Sequence, residues 1–180
     1  MIAPIVKYLM KKSVAESDRK VAMVRGNNVQ RIAIFGVYQN QQLFQEAANY
    51  TKELKRRGIK TVHFYVAFSS RKSKLSYDEK QQEICFAPAD FNLIGKYKNE
   101  ELTLALKNEY DLLFDLTEGM SLAADVVIAK TNAKWKSGRA NADRSFLHDF
   151  MIDQPKEKGL KSLIHYLDQY LMKFNTSNAA

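Results

Sequence analysis

Six polar residues follow apolar stretches of this sequence, and their chemical types suit the binding of a small anion. Hydroxyl, amide and guanidinium groups bind phosphate oxygens and sugar hydroxyls through hydrogen bonds. We therefore expect an anionic ligand, a nucleotide or a phosphorylated sugar, at these positions. No nucleophile–base pair can be placed from the spacing, so the catalytic residues and any reaction stay unassigned. The six residues are Tyr38, Asn40, Ser69, Arg71, Asp115 and Thr117.

A purely structural role is the simpler explanation of the same residues. Asp115 and Thr117 precede a predicted helix, and their side chains can cap its free amide groups. Arg71 and Lys72 would then be solvated loop residues. The sequence leaves both explanations open.

Strands are predicted where apolar residues run almost without interruption, because such runs are typical of strands buried on both faces. They predict a single Rossmann-like α/β domain with a mostly parallel sheet of five or six strands and helices on both faces. Ligands of such sheets bind at the carboxyl ends of the strands. The predicted strands are residues 31–37, 61–68, 83–87, 110–116, 133–137 and 145–152.

Helices are predicted where apolar residues recur at spacings of three and four. A first amphipathic helix at 2–12, with Ile5, Val6 and Leu9 on one side, leads into a polar connector up to residue 30. The α/β domain then spans 31–174, and residues 175–180 form a frayed tail. Within the α/β domain, Asn40 is predicted to cap the helix that follows it, and residues 69–80 are predicted to form a basic loop. The predicted helices of the domain are residues 40–57, 99–108, 121–131 and 159–174.

Common cofactor and catalytic motifs do not occur in this sequence. The turn after the first strand begins with Gly36 but has only the first glycine of the G-x-G-x-x-G pattern. No phosphate-binding P-loop and no G-x-S-x-G motif are found. Cys85 is the single cysteine, and we expect it to be a buried thiol. The three histidines show no metal-ligand spacing. We predict no cofactor and no bound metal.

The formal net charge of +8 permits binding to polyanions such as RNA. Positive residues are densest from Lys52 to Lys80, with nine basic residues against three acidic ones. An RNA- or ribosome-associated basic module is therefore an alternative to the small-ligand hypothesis, although it is not favoured. A non-catalytic scaffold that forms homo-oligomers is a further alternative.

A cytoplasmic location is predicted from the start of the chain. No apolar run approaches the roughly 20 residues that span a bilayer. The apolar residues from Met1 to Met10 come before Lys11 and Lys12, whereas a secretory signal has its positive charge first.

Residues 110–138 resemble a strand–helix–strand piece of the amino-terminal domain of heptosyltransferase-like glycosyltransferases. The matching parts are Tyr110 to Leu116, Ser121-Leu122, and Ala133 to Gly138. Those enzymes hold the nucleotide-sugar mainly in a second Rossmann-like domain, for which this chain has no room. The resemblance therefore implies a fold rather than a catalytic activity.

The whole chain is also similar to a family of small uncharacterised bacterial proteins, described as a domain of unknown function. The residues that carry this similarity are Asp90 to Lys96, Tyr110 to Leu116, and Ala133 to Gly138. No catalytic residue carries over from that family.

Overall fold

The computed structural model describes residues 3–24, 28–38, 41–80 and 82–176, with the backbone alone for 171–176. The strands are β1 (Arg31–Val37), β2 (Thr61–Ala67), β3 (Glu83–Phe86), β4 (Glu109–Asp115), β5 (Asn132–Arg139) and β6 (Phe150–Ile152). The helices are α1 (Ala3–Ala15), α2 (Gln41–Arg56), α3 (Arg71–Leu75), α4 (Glu100–Ala105), α5 (Leu122–Lys130) and α6 (Gly159–Thr176). Short 3₁₀ turns lie at Pro88–Asp90, Ala142–Leu147 and Lys156–Lys158.

The strands form one sheet in the order β3-β2-β1-β4-β5-β6, and every neighbouring pair is parallel. This confirms the predicted Rossmann-like α/β architecture, whose usual strand order is the same. All the carboxyl ends therefore lie at one edge of the sheet, which we call the carboxyl rim. The chain order reverses between β1 and β4, where Ile32 lies beside Leu112.

Helices cover both faces of the sheet because each strand presents apolar side chains on both sides. Ala33 and Leu113 face the layer of α1, α4 and α5. Ile32 and Leu112 face the layer of α2 and α6. The near-continuous apolarity of β1 and β4 follows directly from this burial on two faces.

The predicted boundaries were wrong in the second half of the domain. Residues 145–149 are not part of a strand, because a 3₁₀ turn occupies Ala142–Leu147 and only Phe150–Ile152 pairs with β5. The side chain of Asn141 accepts a hydrogen bond from the Asp143 amide and so starts this turn. Gly138 was predicted to end β5, but it lies inside that strand.

The segment predicted as a basic loop contains the short helix α3. Ser70 and Ser73 cap its start by exchanging side-chain-to-backbone hydrogen bonds. Cys85 is buried as predicted, and burial raises the pKa of its thiol well above the usual range.

Helix α1 contacts the domain through a narrower strip than its sequence predicts. Val6 and Met10 are buried, whereas Ile5 is 48% exposed. The reason is that α1 lies mainly on α5, a single helix, so only one side of each α1 turn is covered.

Candidate functional site

Asp115 ends β4 at the carboxyl rim, and its carboxylate is fully buried. Its Oδ1 accepts hydrogen bonds from the Thr117 amide at 2.9 Å and from the Thr117 hydroxyl at 2.6 Å. The two residues do not cap α5, because Ser121 is the cap and accepts from the Ala124 amide. The capping explanation of Asp115 and Thr117 was therefore wrong.

Arg144 reaches Asp115 from the 3₁₀ turn that follows β5. Its Nη2 lies 2.6 Å from Asp115 Oδ2 and 2.7 Å from Asp125 Oδ1, and it donates to the Thr117 hydroxyl at 3.2 Å. Its Nε also donates to Asp125, at 3.0 Å. The remaining nitrogen, Nη1, has no protein partner among the residues that the structure describes. The guanidinium is thus fixed on one side and has donors left over on the other.

His148 completes this cluster from the end of the same turn. Its Nε2 lies 2.9 Å from Asp115 Oδ2, and its side chain is fully buried. A carboxylate only accepts hydrogen bonds, so Nε2 donates to Asp115. Nδ1 has no partner in the described part of the chain. The approach requires Gly138, since a Cβ there would lie 2.9 Å from Nε2.

Burial and ion pairing shift the pKa values of these groups in opposite directions. Burial alone would raise the pKa of Asp115, but Arg144, His148 and Thr117 outweigh it and hold that pKa well below its usual range. For Asp125, burial prevails over Arg144 and raises the pKa. Burial lowers the pKa of Arg144, yet Asp115 and Asp125 together raise it above its ordinary value. Asp115 and Arg144 are therefore both charged at neutral pH.

Arg139 and Glu118 form a second ion pair near that of Arg144 and Asp115. Through this pair and its other hydrogen bonds, Arg139 joins the loop after β4 to the loop after β6. Arg139, the last residue of β5, donates through Nε to Glu118 at 2.9 Å. Its Nη1 donates to the carbonyl oxygens of Gln154 and Pro155. Glu118 and Gly119 both have positive φ, which turns the chain sharply away from the sheet. The rim beyond β4 and β5 is therefore held by charged contacts within the protein.

An open groove of about 510 Å³ runs along this part of the rim. We call it the rim groove. Gly119 lines it from the loop after β4, Leu122 from the start of α5, Asn141 and Arg144 from the turn after β5, and Lys7 from α1. The Lys7 ammonium pairs with Asp143 at 2.9 Å, and the Asp143 side chain is 85% exposed. The groove thus combines a buried cation, fixed by carboxylates, with an exposed surface ion pair.

The other predicted residues lie at the rim beyond β1 and β2. Tyr38 packs against the rings of Phe44, Phe68 and Tyr77, with ring centres 4.8–5.0 Å away. Ser69 and Arg71 are exposed after β2. None of these three residues contacts Asp115 or Thr117 in the described structure. Asn40 lies outside the described residues, and a ligand-binding role for all six residues stays a prediction.

Sequence reasoning missed Arg144, His148 and Lys7. His148 falls in the segment 145–152, predicted as a strand, and Arg144 falls in the predicted loop before it. They contact Asp115 across 33 and 29 positions of the sequence. No local spacing connects them. Among the described residues, no three His, Cys, Asp or Glu side chains are grouped so that they could hold a metal ion.

The fold and the sequence together define the class of protein. It has a single six-stranded parallel sheet of the Rossmann-like type, and none of the described helices has the length and apolarity to cross a membrane. A family model matches residues 4–174, so the chain belongs to a family of unknown function (DUF6913), as its sequence predicted.

The other two comparisons add little to this assignment. No curated protein matches the chain. Among solved structures, it is similar to the glycosyl transferase family 9 structure from Veillonella parvula DSM 2008, with a TM-score of 0.46 and 9% sequence identity. The match covers 83% of this chain and 42% of that chain, so this protein spans less than half of that structure's length.

Proposed function

We propose that the protein binds an anionic small molecule, a nucleotide or a phosphorylated sugar, in the rim groove. The observation that carries this proposal is Arg144, whose guanidinium is fixed by Asp115, Asp125 and Thr117 and still lines an open groove. Ligands of Rossmann-like sheets bind at the same edge of the sheet.

Arg144 keeps one nitrogen for a phosphate. A guanidinium donates charge-assisted hydrogen bonds to phosphate oxygens, and holding it in place beforehand reduces the entropy lost on binding. Nε and Nη2 are occupied by protein oxygens, so Nη1 supplies the free donors. The ion pair with Asp115 thus serves to position Arg144 rather than to bind the ligand directly.

Two further groups of the groove favour an anion. Among the described residues, Lys7 pairs only with Asp143. Such exposed pairs contribute little energy, so a phosphate can replace that carboxylate. Leu122 starts α5, where Ser121 accepts from the amides of Ala124 and Asp125. The Leu122 amide has no hydrogen-bond partner among the described residues and lies at the positive end of the helix dipole.

The rest of the ligand is proposed to lie toward the rim beyond β1 and β2. Tyr38, Ser69 and Arg71 follow neighbouring strands there and present a ring, a hydroxyl and a cation. We propose binding rather than a reaction, because the Asp115–His148 pair is sealed from solvent.

A thermal-shift and calorimetry series tests this function. Uridine diphosphate and glucose 6-phosphate should raise the Tm, whereas uridine and glucose should not, because mass action stabilises only the state that binds. Lys7→Gln and Asn141→Ala should weaken binding, while Lys161→Gln, an exposed lysine on α6, should not. Equal shifts with the phosphorylated and unphosphorylated compounds, or no effect of Lys7→Gln, would refute the proposal.

Polyanion binding is a second candidate that one observation favours. Of the nine basic residues from Lys52 to Lys80, Arg57 and Lys74 pair with carboxylates, which leaves seven without such a partner among the described residues. Retention on heparin that falls steeply with salt, and that is lost in Lys52→Glu/Arg56→Glu, would support it. Unchanged retention in that double variant would exclude this surface.

A further inference from the structure

A second groove lies on the other side of α1, between α1, α5 and the turn at residues 94–97. We call it the α1–α5 groove. Its volume is about 690 Å³, and small-molecule sites commonly measure about 300–1,000 Å³. It shares only Met10 with the rim groove, so the two grooves can be tested separately.

The floor of the α1–α5 groove is apolar. Val6, Met10 and Val126 form its base and are almost fully buried. Leu9 and Ile94 border it and are partly exposed, Ile94 by 48%. The hydrocarbon that this groove leaves exposed is therefore that of Leu9 and Ile94, and covering it favours an apolar ligand because it removes hydrocarbon from water.

The edge of the same groove carries unpaired cations. The ammonium groups of Lys96 and Lys130 have no carboxylate partner among the residues that the structure describes. The third lysine of the groove, Lys12, has only a loose pair with Glu16, at 3.8 Å. Burial and the charge of Lys96 lower the pKa of Lys130, which shows that the two cations repel each other. An anion between them would remove that repulsion.

Lys130 is not occupied with capping α5, although it is the last residue of that helix. Lys136 donates to the carbonyl oxygens of Ile128 and Ala129 at 2.7 and 3.2 Å. Thr131 donates its amide and hydroxyl to Val127. The negative end of the helix dipole is therefore satisfied by other groups, and Lys130 is available for a ligand.

The ring of Tyr97 argues against a stacked base as the occupant. The Lys130 ammonium lies 4.8 Å from the centre of that ring, over its face, and Phe91 packs against the ring at 6.3 Å.

We propose that the α1–α5 groove binds a long-chain carboxylate, a fatty acid. Its chain would cover the exposed hydrocarbon of Leu9 and Ile94 above the buried floor, and its carboxylate would lie between Lys96 and Lys130.

Calorimetry on the full chain, with sodium laurate kept below its micelle-forming concentration, tests the proposal. Laurate should bind saturably. Dodecanol, which has the same chain length but no charge, should bind more weakly. Inorganic phosphate should not bind this groove. The double variant Lys96→Gln/Lys130→Gln should bind laurate roughly tenfold more weakly, because it loses two charge-assisted contacts. Its affinity for dodecanol should not change. Ile94→Gln should weaken both, and Lys161→Gln neither.

Methyl NMR gives a second measurement that does not depend on any variant. Laurate should shift the methyl signals of Val6, Leu9 and Val126. The proposal is overturned if laurate does not bind saturably, if the double variant binds it as tightly as the natural chain, or if the shifts lie elsewhere. Loss of laurate binding in Lys7→Gln would assign the ligand to the rim groove and would also overturn it.

Discussion

The carboxyl rim has two unlike halves. Beyond β4 and β5, Asp115 is fully buried and paired with Arg144 and His148. Beyond β1 and β2, Tyr38 is 38% exposed within a cluster of aromatic rings, and Ser69 is exposed. We call these the closed half and the open half.

The difference shows that position at the carboxyl rim does not by itself make a polar residue available to a ligand. Charges removed from water must be paired, so Asp115 and Arg144 hold each other in one arrangement. In the closed half, Nη1 is the nitrogen of Arg144 that the cluster leaves without a partner among the described residues. In the open half, the Ser69 and Arg71 side chains are exposed to solvent.

Asp115→Asn should have the largest effect, because it removes the negative charge that Arg144 pairs with in the interior. We expect the free energy of unfolding to fall by about 3–5 kcal/mol, measured by urea unfolding. Asp143→Asn is the matched control, since its carboxylate pairs with Lys7 at the surface. Similar losses in the two variants would contradict the distinction between the buried cluster and the rest of the rim.

Gly138→Ala should disturb the closed half by steric overlap alone. The added Cβ would lie 2.9 Å from His148 Nε2 and 3.1 Å from Asp115 Cβ. Overpacking of this kind costs about 1–3 kcal/mol, and the His148 imidazole resonances should shift. Ser69→Ala, an exposed change in the open half, should leave both stability and these resonances unaltered.

Unfolding at acidic pH should also distinguish the closed half from the open half of the rim. The folded-state pKa of Asp115 lies below its unfolded value, so its contribution is complete above the ordinary carboxyl pKa and is lost as the pH falls. Below about pH 4, unfolding experiments should show a decline of at most about 1.4 kcal/mol per pH unit from this group. Asp115→Asn should lack this component, and an identical acid profile would refute the assignment.

Tyr38→Ala should have the smallest effect of the series. It removes ring contacts with Phe44, Phe68 and Tyr77 from a partly exposed site, at a cost of about 1 kcal/mol. Tyr38→Phe should unfold like the natural chain, because the Tyr38 hydroxyl has no protein partner in the described structure. A large loss in Tyr38→Phe would show that the open half is as tightly coupled as the closed half.

The strands at the centre of the sheet could be predicted because strands that are buried on both faces consist mostly of consecutive apolar residues. The strands predicted at 31–37, 61–68 and 110–116 correspond to β1, β2 and β4, whose ends in the structure differ by no more than one residue. The stretch 145–149 was assigned wrongly, since a short mixed run does not distinguish a strand from a 3₁₀ turn. This misassignment is one reason why His148 was not recognised. Arg144 lies in the predicted loop before that stretch and contacts Asp115 only through the tertiary fold.

The sequence by itself determined the α/β class, the central strands, the edge of the sheet at which polar residues collect, and the family of the chain. Only the tertiary structure decided which polar residues of the carboxyl rim are buried and which are exposed to solvent. The physical reason is that β5 lies beside β4 and so carries residues 141–148 onto Asp115. Contacts between residues about 30 positions apart depend on that packing and leave no periodic signal in the chain.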